Sequence, residues 1–221
     1  MREYNIKSKN CWNFDETGWR IGCLSGRLVF KFPDVSAVYM TDPDTRESLT
    51  TIEAINATGD YAPAMIILPG FTLLEKYFDN NVIFATNQES GSGYTNDMLA
   101  MDWLIAFEKA TRPGTKTRKG TIHNSEWRLL LMDNHGSHLT KEFIDYCWDN
   151  KIVPFRLPPH STHLLQPCDV GLFQPMKQHH QNILAEQVRF SGAWNYTKED
   201  FLDVYNEISV RTMKKHMITH A

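Results

Sequence analysis

Apolar and polar positions along this chain fall into runs, alternations and helical stripes that mark out its elements. "CWNFDETGW" followed by "GRLVFKF" predicts two strands joined by a turn, with "TGW" and "LSG" supplying the turn chemistry. Residues 40–48, "MTDPDTRES", read as a polar loop. "LTTIEAINATGDYAPAMIILPG" predicts a strand pair, broken at Gly59–Asp60 and closed by Pro69–Gly70. A flexible loop at 86–96, "TNQESGSGYTN", leads into a helix from about Asn96 to Arg112. Leu99, Trp103, Ala106 and Ala110 recur there at helical spacing, and Pro113–Gly114 ends it.

Residues 114–121, "GTKTRKGT", read as a basic, glycine-bracketed loop. "RLLLMD" is a short continuous apolar run, the pattern of a strand covered on both faces. "TKEFIDYCWDNK" predicts a helix capped by Thr140, and "IVPFRL" the next strand. Strand, helix and strand in that order make a βαβ unit with parallel strands. A proline-bracketed loop, "PPHSTHLLQP", precedes a helix from roughly Gly171 to Arg189. The last helix opens with "TKED", where Thr197 and Asp200 approximate a capping box, and carries Phe201, Tyr205 and Ile208 on one face. The order predicts a mixed α/β sheet, antiparallel in its first half and parallel in its second, flanked by helices.

Composition narrows the class. The 221 residues are 42% hydrophobic and 22% charged, as in a folded globule of one substantial domain or two small ones. The formal net charge of −3 excludes DNA binding by bulk charge alone, so any nucleic-acid contact must use local basic patches or a segment outside this chain. Cys11, Cys23, Cys147 and Cys168 form no CxxC pair and read as reduced thiols of an intracellular protein. No stretch approaches the ~18 apolar residues of a membrane span.

Chemistry concentrates where "LLLMDNHGSH" runs from a strand into Asp133, Asn134, His135 and His138. Ligands of a parallel sheet bind outside the carboxyl ends of its strands, and Asp133 stands at such an end. A simple Asp-Asn turn explains that pair on its own. Two further acids change the balance: Asp15 in "NFDETG", read as ending the first strand, and Asp169 in "QPCDVGLF", after the loop that follows the last strand. Three carboxylates from separate segments suit hard divalent cations that keep waters for a substrate phosphate. His135/His138 and His160/His163 form two His-x-x-His pairs, and with Asp133 they offer a zinc site as the competing reading. Gln166 and Pro167 read as shaping the turn before Asp169, and Trp127, Trp148 and Trp194 as core rather than base-stacking platforms.

The words "WNFDETGW", "LLLMDNHGSHLTKEFIDYCWDNKIVPFRLPPHSTHLLQPCDVGLFQPMKQ" and "KEDFLDVYNEI" resemble the catalytic domain of Asp-Asp-Asp/Glu transposases, in the pogo/Tigger branch with jerky-like and centromere-protein-B-like relatives. The resemblance covers nearly the whole chain and is densest at 129–178. It implies one ribonuclease-H-like domain over 1–221, with Asp15, Asp133 and Asp169 as the catalytic, metal-holding triad. Residues 134 to 168, 35 in all, separate the last two acids, in keeping with that family's short second spacing. The implied cofactor is Mg²⁺ or Mn²⁺, as two ions, with no small-molecule cofactor. The implied reaction is phosphodiester hydrolysis leaving a 3′-hydroxyl that attacks a second DNA strand. DNA is the implied partner, the nucleus the implied place, and a homodimer is left open. Lys116, Arg118, Lys119, Lys177 and His138 are the candidate DNA contacts. The usual N-terminal helix-turn-helix modules of such proteins have no counterpart before "WNFDETGW", and the chain reads as truncated after the last helix. The alternative function is a domesticated, non-catalytic DNA-associated protein that keeps the fold.

Overall fold

The computed structural model describes residues 3–21, 47–72, 82–87, 91–116, 122–124, 126–133, 140–158, 162–191 and 196–221. Eight strands and six α-helices lie in the order β1 (Cys11–Ile21), β2 (Glu47–Asn56), β3 (Met65–Leu68), β4 (Ile83–Thr86), α1 (Asp97–Thr111), β5 (Gly114–Lys116), β6 (Ile122–Asn124), β7 (Arg128–Met132), α2 (Lys141–Asp149), β8 (Ile152–Arg156), α3 (Thr162–Leu165), α4 (Gln174–Ser191), α5 (Lys198–Thr212) and α6 (Lys215–Ile218) among these residues. A π-helical turn, Cys168–Phe173, runs straight into α4. Six strands form one sheet in the order β4-β3-β2-β1-β7-β8, and β5 and β6 form a separate two-stranded ribbon.

β1–β2 and β2–β3 are antiparallel, whereas β1–β7, β7–β8 and β3–β4 are parallel. The mixed sheet expected from the sequence is therefore present, with one further strand, β4, that the sequence pattern did not predict. "TGW" is not a turn: β1 runs unbroken through Gly18 because β2 pairs with it from Trp12 to Ile21. The basic segment that opens at Gly114 is a loop only in part, since Gly114–Lys116 pairs with Ile122–Asn124. Part of the proline-bracketed loop winds into α3.

Strand alternation sends successive side chains to opposite faces. Trp12 and Phe14 of β1, Ile52 and Ala54 of β2 and Leu130 and Met132 of β7 pack under α1 and α2, against Trp103, Phe107 and Phe143. Trp19 and Ile21, Leu49 and Ile55 pack on the other face under α4 and α5, against Leu172, Met176, Phe201 and Tyr205. The sheet is thus the middle layer of three, and Asn13 and Asp15 share the α4/α5 face with Trp19. The caps expected at Thr140 and Thr197 are in place, Thr140 accepting from the Phe143 amide and Thr197 and Asp200 completing a reciprocal capping box, and Asn96 caps α1 as well by accepting from the Leu99 amide. On α1 the buried stripe is Leu99, Ala100, Trp103, Leu104, Phe107 and Glu108, and Ala110 faces solvent. Glu108 goes under because it pairs with Arg128, fully buried at the start of β7, which also donates to the Asn150 carbonyl at 3.1 Å.

Candidate active site

The site is built on the stretch of β1 where one neighbour continues and the other stops. β2 accompanies β1 throughout, but pairing with β7 ends at Asn13↔Leu131. Continuing that register by two residues brings Asp15 level with Asp133, on the face shared by Asn13 and Leu131. Asp15 therefore lies mid-strand, not at the end of β1 as its sequence context suggested. It is half-buried, beyond the last residue of β1 that pairs with β7. Asp133 directly follows that last residue and is also half-buried.

Asn13, itself buried, ties the third acid to the same place. Its amide Nδ2 donates to the Leu131 carbonyl at 3.2 Å, and its Oδ1 accepts from the Cys168 backbone N–H at 3.0 Å. One side chain thus joins β1, the end of β7 and the turn that carries Asp169. Gln166, also fully buried, donates from Nε2 to the Phe14 carbonyl at 3.0 Å. Together these bonds hold segment 166–169 against residues 13–15, and Asp169 comes out exposed in the first turn of the π-helical segment. The Asn13 bond also explains why the helix begins before Gly171, since it satisfies an amide at the new N-terminus.

Electrostatics record the same convergence. Burial, together with the negative charges of Asp169 and Asp133, raises the Asp15 carboxyl to about 7, against hydrogen bonds from the Glu16 amide and Gln166. The Glu16 N–H donates to Asp15 Oδ1 at 2.8 Å. Cys168 is buried, and burial together with Asp15, Glu53 and Asp169 holds its thiol well above the ordinary range, so it stays neutral and is no competitor for a cation. Glu16 points to the opposite face and accepts from the Thr95 hydroxyl at 2.7 Å.

Among the described residues, no three His, Cys, Asp or Glu side chains gather closely enough to chelate one ion. Carboxylates that repel one another without closing on one point fit hard divalent cations held by one or two acids each, with water and substrate oxygens completing the shell. A cation bound there would favour the ionised form of Asp15 that burial and the neighbouring acids disfavour.

Of the candidate DNA contacts, Lys177 is exposed on α4 and lines an open groove of about 310 Å³ with Asp169, Phe173, Gln174, Gln178 and Gln181. Lys116 lies in β5, with its side chain outside the described residues; Arg118, Lys119 and His138 lie outside them altogether. So do His135 and His160, and the side chain of His163. Trp148 is not core: it is 42% exposed and meets Trp127 edge-on at 6.0 Å.

Two residues of the site have no clear signature in the sequence. Asn13 shows as a polar position flanked by Trp12 and Phe14, which alternation alone assigns to a solvent face. Glu53 sits in "TTIEAIN" as one more polar alternate, yet it is the cross-strand partner of Asp15 and is buried to 1%.

A family model described as DDE superfamily endonuclease matches residues 45–221 and so takes in Asp133 and Asp169 but begins after Asp15. A protein of Cochliobolus lunatus described as "MFS-type transporter clz9" is 29% identical over 181 residues, covering 80% of this chain and 18% of its own length. The chain thus spans under a fifth of that relative, and no helix among the described residues is long and apolar enough to cross a membrane. The pre-cleavage Mos1 transpososome superposes with a TM-score of 0.51 at 13% identity, over 96% of this chain and 55% of that one. The Mos1 mariner paired-end complex with Mn gives 0.51 at 14% identity, with the same coverage. These likenesses establish the ribonuclease-H-like fold of transposase catalytic domains.

Proposed function

The chain belongs to the DDE superfamily endonuclease family, and on that premise we propose that it is a transposase-type catalytic domain that cleaves DNA phosphodiesters at Asp15, Asp133 and Asp169. The observation that carries this reading is the pull of three separate segments to one end of the sheet, where Asp133 and Asp169 both act on the Asp15 carboxyl.

In this reading the three carboxylates would hold Mg²⁺ or Mn²⁺, as two ions; the Mos1 mariner paired-end complex was solved with Mn, which supports the choice of metal. Bound there, the cations would supply positive charge against the attacking and leaving oxygens of an in-line displacement. Asn13 fixes the spacing between strand end and turn, and the Glu16 amide orients the Asp15 carboxylate. Lys177 takes a backbone phosphate beside Asp169, positioning the strand without reading its sequence. Water attacks phosphorus, the bond from phosphorus to the 3′-oxygen breaks, and that oxygen leaves as a hydroxyl after protonation. In strand transfer the freed 3′-hydroxyl would replace water as nucleophile: its oxygen bonds to a phosphorus of a second duplex, the phosphorus–3′-oxygen bond there breaks, and the proton passes to that leaving oxygen. Such a substrate puts the protein's work in the nucleus.

The test is nicking of supercoiled plasmid in Mn²⁺ or Mg²⁺ by the purified chain and by Asp133→Asn. Nicking that depends on metal and disappears in the variant is the expected result. Equal nicking by both overturns the assignment; none by either favours a non-catalytic DNA-associated protein that keeps the fold.

A further inference from the structure

On its inner side the π-helical turn that carries Asp169 is tied to β1. The Cys168 N–H donates to Asn13 Oδ1 at 3.0 Å, and Gln166 Nε2 donates to the Phe14 carbonyl at 3.0 Å. Leu172 and Phe173 re-enter the core just beyond. Between these anchors Asp169 and Val170 face solvent, Val170 to 47%. A π-helical turn is a rare geometry, so its shape leans on what packs around it.

Gly171 shows what lies on the outer side. Its φ is not in the left-handed region, so its backbone does not call for glycine. Helix interiors disfavour glycine. What requires it is a close approach: a β-carbon added at Gly171 would overlap Cβ and Cα of Ala221. Ala221 belongs to a short, stiff segment. Beyond α6 the Thr219 N–H donates to the Lys215 carbonyl at 3.0 Å and the His220 N–H to the Met217 carbonyl at 3.2 Å. Ile218 is buried to 4%, in the same core as Leu172 and Phe173. At the other end Gly59, at φ +90° in the turn after β2, makes room for Lys215, whose Cα would lie 3.1 Å from an added β-carbon. Residues 215–221 are thus seated on a glycine at each end and pinned by Ile218 between them.

We propose that residues 215–221 are a strap that positions Asp169 for a divalent cation, and that Gly171 is the positioning residue through which the strap acts. This rests on the reading of Asp169 as a metal ligand. Metal ligands have to be held to within ~0.5 Å of their working geometry. Asn13 and Gln166 hold the turn from the sheet side, and Ala221 packs on it two residues beyond Asp169. An alanine at Gly171 has no room: either the strap lifts off or the turn moves, and each leaves Asp169 unfixed.

The experiment is a Mn²⁺ titration read by electron paramagnetic resonance of the free ion, with Tm measured on the same samples. The proteins are wild type, Gly171→Ala, Ile218→Ala, the double variant, Asp169→Asn and Leu104→Ala. Leu104 is buried in the core on the opposite face of the sheet, so its truncation lowers Tm without touching the strap. Gly171→Ala should weaken Mn²⁺ binding about 10-fold, the scale for groups that orient metal ligands. Ile218→Ala, which unpins the strap, should weaken it less. The double variant should be no worse than Gly171→Ala, since both changes break one contact. Leu104→Ala should keep wild-type affinity, and Asp169→Asn should bind worst. Wild-type affinity in Gly171→Ala, with binding weakened in Asp169→Asn, would overturn the strap and leave the ligand assignment standing. So would equal weakening by Leu104→Ala, since affinity would then follow stability alone. Wild-type affinity in Asp169→Asn, or no binding by the wild type, would overturn both. If Gly171→Ala does not fold, Ile218→Ala decides: unchanged affinity there refutes the role.

Discussion

Glu53 makes the protein's stability depend on pH in a direction opposite to that of a salt-bridged acid. Burial raises its carboxyl from the ordinary 4.5 to about 7, against lowering by hydrogen bonds from Tyr205 and Thr51. Between those values the folded chain holds a proton at Glu53 that the unfolded chain has released. The folded state then binds more protons than the unfolded one, so stability falls as pH rises through this window. The gap between 4.5 and about 7 corresponds to about 3 kcal/mol, at ~1.36 kcal/mol for each pKa step. Glu53→Gln removes the titration while retaining an acceptor for the Tyr205 hydroxyl. The metal-free variant should therefore match wild type near pH 4 and exceed it by about 3 kcal/mol at about pH 8. For a domain of this size that difference raises Tm by roughly 6–12 °C. Urea unfolding at the two pH values, with chelator present, gives the comparison directly. A wild-type-minus-variant difference that does not change with pH would refute the claim that burial holds the Glu53 carboxyl at a raised pKa.

Other outcomes follow from the same contacts. Glu108→Ala leaves the Arg128 guanidinium buried beside an empty space and should cost about 3–5 kcal/mol in urea unfolding, whereas a loss under ~1 kcal/mol would mean Arg128 finds water instead. Lys177→Ala should weaken DNA binding about equally for unrelated sequences and reduce the slope of log affinity against log salt by ~1; an unchanged slope would remove Lys177 from the phosphate path. Asn13→Ala should loosen both Asp133 and Asp169, lowering nicking far more than it lowers Tm, which thermal unfolding alongside the plasmid assay would separate.

Local signals in the sequence translated well into structure, and long-range ones did not. Thr140 and Thr197 were legible as helix caps because each needs only an amide three residues away. The βαβ unit of β7, α2 and β8 was legible because its periods change sharply from one element to the next. Gly18 misled: in "TGW" it signals a turn, but ten consecutive pairings with β2 outweigh the preference of one residue. Placing Asp15 at a strand end failed for the same reason: it is β7, not β1, that ends beside Asp15. Asp133 and Asp169 were accessible because they follow a recognisable strand and turn. Asn13 and Glu53 were not, because their burial depends on α4 and α5, more than a hundred residues away in sequence. A polar residue on an alternating strand looks the same whether it faces water or a helix.

The central claim is that Asp15, Asp133 and Asp169 bind divalent cations at one end of the sheet. Crystals soaked in Mn²⁺ and measured for anomalous scattering test it without any substrate. Anomalous peaks in contact with Asp15 and Asp133, with Asp169 adjoining, are the predicted result. Peaks on His135, His138, His160 or His163, or none beside Asp15, would contradict the account.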